Sequence, residues 1–309
     1  MERRRLGGSD LEITPVGVGT APIGSGRDWV AWWGPQDEGE SIRTIHAALD
    51  AGINWIDTAP FYGWGRAEEL VGRALNGRRD DVLVFTKCGT VPDEQHGDRM
   101  DLRPGTIRAD VEASLRRLRI ERLDLVQLHD VDRNVPVEES WGEVQRLIAE
   151  GKVRHGGISN HPAADVDRAL ALGPVAALQY QYSLLHREPE QEILPLARMR
   201  DIGVLTWSPL AAGFLGDGFD LERLDPDDFR RSHPFAQLDL AALRETLARI
   251  GERHGSSGAQ VALAWLLHQP GVTGAIVGVR TVREAEQLPG AAALRLERDE
   301  LREIETAAA

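Results

Sequence analysis

Four residues with complementary chemistry recur at the ends of short apolar runs. NWIDT (54–58) carries Asp57, with Tyr62 five residues on; VLVFTK (82–87) ends in Lys87, and LDLVQLH (123–129) ends in His129. A carboxylate closing a core strand needs a partner or water, and Lys87 on the next run is the candidate partner. Free tyrosine, with a pKa of about 10, is a poor donor near neutrality. An adjacent ammonium favours the phenolate and moves the phenol toward general-acid duty. Asp57 would hold Lys87 charged, and His129 would hydrogen-bond and orient a carbonyl oxygen. The set suits protonation of an oxygen that becomes negative as hydride reaches its carbon, and it offers no nucleophile for acyl or glycosyl transfer. Any one of these residues alone would read as a solvated loop charge or a structural histidine; the combination on successive runs carries the argument.

The elements that must position them are legible as pattern. Continuously apolar runs, the mark of strands buried on both faces, occur at 15–19, 54–58, 82–87, 123–129, 155–159, 177–181, 203–208 and 274–278. Between them lie amphipathic stretches at 41–52, 105–118, 138–152, 164–173, 191–203, 258–271 and 281–288. Gly52 is placed to stop the first, and Thr281 with Glu284 has the spacing of a capping box. Eight strand–helix units in series predict an α/β fold, a (β/α)₈ TIM barrel, formed as one domain over residues 1–309. An N-terminal hairpin (6–15) and two extra helices (238–255 and 296–309) stand outside the repeat. In such a barrel the strand C-termini share one rim.

Composition narrows the function. A chain of 309 residues with 28% charged side chains and a net charge of -13 is ill suited to a nucleic-acid partner, whose phosphates want a basic surface. No run of about 18 apolar residues suggests a membrane span. The start, MERRRLGGSD, lacks the apolar run of a secretory signal. The single cysteine, Cys88, fits a reducing compartment and reads as a buried structural residue, so a cytoplasmic location is expected. No histidine pair has metal-ligand spacing, so no metal is expected. GVGTAP (17–22) lacks the third glycine of a dinucleotide fingerprint and reads as a tight strand-to-loop turn. The tryptophan-rich WVAWW (29–33) either packs on the rim or forms an aromatic wall over a substrate, with Trp29 and Trp33 joined by Phe61 and Trp64.

At these segments the chain resembles the aldo-keto reductase family. GINWIDTAPFYGWGRAEELVGRAL (52–75) is similar to the signature around the catalytic Asp and Tyr, VFTKCG (84–89) to the Lys strand, and DLVQLHDVD (124–132) to the His strand. VRHGGISN (153–160), LQYQYSLLHRE (178–188) and GVLTWSPLAAGFL (203–215) resemble the nicotinamide-binding strands. The resemblance implies Asp57, Tyr62, Lys87 and His129 as catalytic residues, with Tyr62 as proton donor. It implies that Ser159, Asn160 and Gln179 hold the carboxamide of NAD(P)H, that Trp207 stacks on the nicotinamide, and that Ser208, Leu210 and Gly213 lie by the pyrophosphate. Gly278, Arg280, Glu284 and Gln287 would surround the adenosine, using a helix N-terminus and Arg as an anion site.

Glu284 and Leu288 depart from the family's usual Gln and Asn, and a carboxylate there disfavours a 2′-phosphate; Arg280 with Arg230 or Arg231 would offset it. NADPH is favoured, with NADH possible. Asp130 stands where relatives commonly show a proline, which alters the substrate pocket. The expected activity is reduction of a small aldehyde, ketone or sugar carbonyl, or the reverse oxidation. Alternatives are an NAD-dependent sugar or polyol dehydrogenase, and a cofactor-binding regulatory subunit like the potassium-channel β subunits. The sequence fixes no oligomeric state.

Overall fold

The computed structural model of the chain describes residues 1–93 and 97–308; Ala309, the last residue of the expected terminal helix and domain, lies outside them. A two-stranded hairpin opens the chain, β1 (Arg4–Arg5) against β2 (Glu12–Ile13). The barrel follows: β3 (Val16–Gly19), the short α1 (Ala21–Gly24), α2 (Glu38–Asp50), β4 (Trp55–Asp57), α3 (Arg66–Ala74) and β5 (Leu83–Cys88). A second hairpin, β6 (Thr90–Pro92) with β7 (Asp98–Met100), interrupts before α4 (Pro104–Leu118), β8 (Leu123–Leu128), α5 (Val137–Ala149), β9 (Val153–Ser159), α6 (Ala163–Leu170) and β10 (Ala177–Gln181). The chain closes with α7 (Ile193–Arg200), β11 (Gly203–Trp207), α8 (Ala241–His254), α9 (Gly258–Leu267), β12 (Gly274–Gly278), α10 (Val282–Ala293) and α11 (Arg298–Ala308). Strands β3, β4, β5, β8, β9, β10, β11 and β12 form a closed barrel, each parallel to its neighbours. Among the described residues no helix is long and apolar enough to cross a membrane.

Two cores build this shape. Outward-facing strand residues such as Val18, Ile56, Val84 and Val126 pack under the helices. Inside, Trp55, Phe85, Leu125, Ala177, Leu205 and Ile276 meet Leu6, Leu11 and Ile13 of the N-terminal hairpin. The hairpin thus plugs the barrel where the strands begin, and the opposite end of the interior is left for polar groups. Period-two alternation then aims Asp57, Lys87 and Gln127 into that upper layer, two residues above Trp55, Phe85 and Leu125.

GVGTAP proves to be strand rather than turn at its glycines. A Cβ on Gly17 would lie 2.2 Å from Trp55 Cε2, so the glycine exists to admit an indole into the barrel. Gly52 does end α2: it adopts φ 92°, and the Ile53 N–H reaches back to Ala48 O at 3.2 Å, a Schellman stop. The Thr281 cap is only half a capping box. Thr281 Oγ1 accepts from Glu284 N at 3.3 Å, but the Glu284 carboxylate turns to Arg280 N at 2.7 Å. Helix α10 also continues past its expected end at 288, through Pro289, because Ala291 and Ala292 find burial there. The β6–β7 hairpin has no apolar alternation to announce it.

Candidate active site

The strand ends converge as the pattern requires. Asp57 and Lys87 are each 1% exposed and form a direct ion pair, with Lys87 Nζ also donating to Thr58 O at 3.1 Å. The second oxygen of Asp57 accepts from Gln179 Nε2 at 2.9 Å and Gln127 Nε2 at 3.3 Å, and the two glutamines bond each other at 3.1 Å. The carboxylate is therefore fully partnered, which is what keeps a buried charge tolerable. Burial alone would draw the Lys87 pKa down, but the Asp57 charge, with help from Tyr62, more than offsets it and the ammonium is held above its ordinary value.

Tyr62 reaches this pair from a loop shaped by its neighbours. Gly63, Trp64 and Gly65 all take positive φ (59°, 53° and 96°), a reversal that a bulky Trp64 adopts only under constraint. Lys87 Nζ lies 4.9 Å from the Tyr62 ring centroid. The expected lowering of the phenol pKa is not the net result: burial pushes it up, and the Lys87 charge and hydrogen bond oppose that without cancelling it. Tyr62 is thus held firmly as the protonated phenol. His129, just beyond β8, is pushed well below the ordinary imidazole value by burial and then by Lys87, so it is neutral. Its ring stands 6.0 Å from that of Tyr62 and 5.8 Å from that of Phe61.

An aromatic group lines this point. Trp29 packs edge-on against Phe61 at 5.2 Å and Tyr62 at 5.8 Å, and Phe61 against Trp64 at 5.5 Å. Trp33 is not part of it. Its ring packs on Phe229 at 4.8 Å beneath the Arg230 guanidinium, also 4.8 Å away. Asp130 is exposed, and its carboxylate accepts from its neighbour Val131 N at 2.7 Å.

The neighbouring strand ends divide into committed and spare groups. Asn160, in the left-handed region at φ 60°, donates to His129 O at 3.2 Å and accepts from Trp207 Nε1 at 3.1 Å. It fixes the Trp207 indole rather than presenting a free amide, and Gln179 likewise spends its NH₂ on Asp57 and Gln127. Ser159 Oγ is buried with no hydrogen-bond partner among the described residues. Past β11, Ser208 and the run Ala211, Ala212 and Gly213 all have positive φ (55°, 51°, 54° and 91°), with Ser208 Oγ accepting from Ala212 N at 2.7 Å. Leu210 sits half-buried within this turn.

Residues 15–309 match the model of the aldo/keto reductase family. A probable aldo-keto reductase from Glycine max is 33% identical over 305 residues, covering 97% of this chain and 87% of that protein. Among solved structures, a glycerol dehydrogenase from Gluconobacter oxydans superposes with a TM-score of 0.88 at 35% identity, over 99% of this chain and 94% of that one. An aldo-keto reductase from Klebsiella pneumoniae, solved with NADP and acetate, gives 0.76 at 27% identity, over 99% and 95%. The chain belongs to the aldo/keto reductase family. It is an oxidoreductase of carbonyl and alcohol groups.

Within this aldo/keto reductase the residues expected around the adenosine already engage protein groups. The Arg280 guanidinium donates to Trp33 O at 2.7 Å, Pro35 O at 2.6 Å and Gln36 Oε1 at 3.0 Å, fastening the tryptophan loop to the start of α10. Carboxylates already answer that helix end: Glu284 takes Arg280 N, and Glu40 Oε1 takes Val282 N at 3.3 Å. Gln287 offers its backbone oxygen to Gln260 at 2.8 Å, while a Cβ on Gly278 would sit 2.9 Å from Pro22 Cγ. Leu288 is buried in the core, which explains an apolar residue there. Buried Arg230 chelates Asp228 at 2.9 and 2.6 Å, and its Nη1 would lie 3.4 Å from a Cβ on Gly213. Burial and then the Arg230 charge lower the Arg280 pKa.

Gln127 and Thr90 join the site without being among the residues expected there. Gln127 could have been found, since an amide at an inward-facing position of an apolar strand needs partners inside the barrel. Thr90, 3.0 Å from His129 Nδ1, carried no local signal.

Proposed function

We propose that this reductase uses NADPH to reduce a small aldehyde, ketone or sugar carbonyl, and runs the reverse alcohol oxidation when supply demands, with Tyr62 as proton donor. The observation that carries the reading is the buried Asp57–Lys87 pair set against the protonated Tyr62 phenol, with neutral His129 alongside. The chain's residues fit the cofactor. The Ser159 oxygen, without a partner among the described residues, suits a carboxamide, the Trp207 indole is held by Asn160, and the left-handed turn at 211–213 brings the backbone of Gly213 beside Arg230. NADPH, when bound, supplies hydride to the carbonyl carbon.

The protein's own part is proton management. His129 orients the carbonyl oxygen, and Tyr62 gives its proton to that oxygen as it becomes an alkoxide. An alkoxide is a base of roughly hydroxide strength, with water's pKa at about 15.7, so even a raised phenol pKa leaves the transfer downhill. Lys87, which hydrogen-bonds the phenol, stabilises the phenolate left behind by that bond and by its charge. Asp57 keeps that ammonium charged and aimed. The wall of Trp29, Phe61 and Trp64 excludes water and gives the substrate an apolar face, while Asp130 bears on its outer rim.

NADPH is favoured by the likeness to an aldo-keto reductase solved with NADP, and Arg230 and Arg280, near each other, are the candidate partners of a phosphate. Glu284 and Glu40 at the α10 N-terminus favour a second reading, an NAD-dependent sugar or polyol dehydrogenase. The similarity to a glycerol dehydrogenase makes glyceraldehyde and glycerol sensible first substrates. A cytoplasmic setting belongs to the same proposal. The test is Tyr62→Phe with DL-glyceraldehyde: kcat should fall by about 10²–10⁴, with NADPH binding retained by fluorescence titration. Undiminished turnover would refute Tyr62 as the donor.

A further inference from the structure

Thr90 opens the β6–β7 hairpin, one residue past Gly89 and three past Lys87. Its root is held rigidly. Gly89 takes φ 95°, and a Cβ there would lie 2.2 Å from Leu102 Cδ2. The Gly89 N–H is fastened to Asp110 at 2.8 Å, and the His129 N–H to Cys88 O at 3.1 Å. Thr90 is buried, so its hydroxyl must find partners inside. It has two: His129 Nδ1 at 3.0 Å and Met100 Sδ, directly across the hairpin, at 3.5 Å.

The hydroxyl has one proton and the neutral imidazole has one proton with two places for it. If the Thr90 proton goes to Met100, the imidazole proton must sit on Nδ1 to fill the contact, and Nε2 is a bare lone pair. If it goes to Nδ1, the imidazole proton sits on Nε2. A thioether is a weak acceptor and an imidazole nitrogen a strong one, and the nitrogen is also the nearer atom. Nε2 has no partner among the described residues, so it is the nitrogen left for a ligand.

We propose that Thr90 is a positioning residue that locks His129 in its Nε2–H tautomer, so that the ring presents a hydrogen-bond donor to the carbonyl oxygen being reduced. A bare Nε2 would set a lone pair against that oxygen as its negative charge grows. The inference rests on the carbonyl-reduction reading for its consequence, but the tautomer itself can be measured without turnover.

The test is ¹⁵N-histidine NMR of the whole enzyme, with His129 assigned through His129→Gln, together with NADPH-dependent reduction of DL-glyceraldehyde. In the unaltered protein Nδ1 should report an unprotonated nitrogen and Nε2 a protonated one; the opposite pattern overturns the proposal before any Thr90 variant is made. Thr90→Val, which keeps shape and loses the hydroxyl, should mix the tautomers and lower kcat about tenfold or more, with the NADPH dissociation constant unmoved. Thr90→Ser should restore both. Met100→Leu, which removes the competing acceptor, should leave the tautomer unchanged. A Thr90→Val enzyme that keeps a pure Nε2–H form, or mixes tautomers with no loss of rate, refutes the assignment, as does a tautomer change in Met100→Leu. If the unaltered protein reduces no carbonyl while the NMR pattern holds, the functional reading fails and the role of Thr90 in fixing the ring stands.

Discussion

Replacing Asp57 by asparagine changes very little volume and removes one charge from a place where both carboxylate oxygens are engaged. In the native site one oxygen faces Lys87 Nζ and the other takes Gln179 and Gln127 Nε2 at 2.9 and 3.3 Å. An asparagine must point its NH₂ either at an ammonium or at two amide NH₂ groups, so donors meet donors in both orientations. Breaking a buried ion pair on one side costs about 3–5 kcal/mol, a large share of the roughly 5–15 kcal/mol that holds a typical fold. At about 2 °C per kcal/mol for a chain of this size, Tm should drop by roughly 6–10 °C. The pH dependence is diagnostic. In the native protein the Lys87 pKa is raised, so its contribution is complete below the unfolded value and is lost only as pH climbs through the higher folded one. In the variant burial is opposed only by Tyr62, and the folded pKa falls below the unfolded value of about 10.4. The unfolded chain then binds more protons than the folded one, so stability rises with pH. Thermal unfolding at pH 6, 8 and 10 should show the deficit greatest at pH 6 and shrinking toward pH 10. A loss under about 1 kcal/mol, or a deficit independent of pH, would refute the electrostatic account of this site.

Two further changes should act with opposite signs on different measurements. Burial pushes the Asp110 carboxyl up to about 6. Stability linked to it is therefore complete below about 3.9 and is lost as pH rises through 6, a shift equivalent to about 3 kcal/mol at most. Asp110→Asn keeps an acceptor for Gly89 N and should stabilise the protein in urea melts at pH 7.5 but not at pH 4; an equal effect at both would exclude this cause. Ser159→Ala removes a buried hydroxyl with no partner among the described residues. It should leave the free protein as stable or more so, while weakening NADPH binding by about 5–10-fold in calorimetric titration. Unchanged affinity would remove Ser159 from the cofactor site.

Much of this architecture is written locally. The eight apolar runs stand within two residues of the strands that form, and Asp57 and Lys87 are readable because a charge closing a core strand demands a partner. The same alternation sends Cys88 outward into the helical packing, where burial raises its thiol pKa well above the ordinary value. Other features are invisible to periodicity. Gln127 and Gln179 meet Asp57 across 70 and 122 residues of chain, and Arg280 ties the loop at 33–36 across more than 240. Trp29 and Trp33 look equivalent in WVAWW, yet one joins Tyr62 and the other Phe229, because the long loop after β11 folds over the second.

The sequence alone determined which residue types stand at the strand ends, and so the number of barrel strands, their order and the chemistry available at one rim. Those properties follow from alternation and from the cost of burying a charge, both of which act over a few residues. Tertiary structure decided the sign of the Tyr62 shift, the engagement of Arg280 and the partner of His129. Each of these depends on how much solvent is excluded and on which distant groups arrive at a given atom, and only the closed barrel settles that.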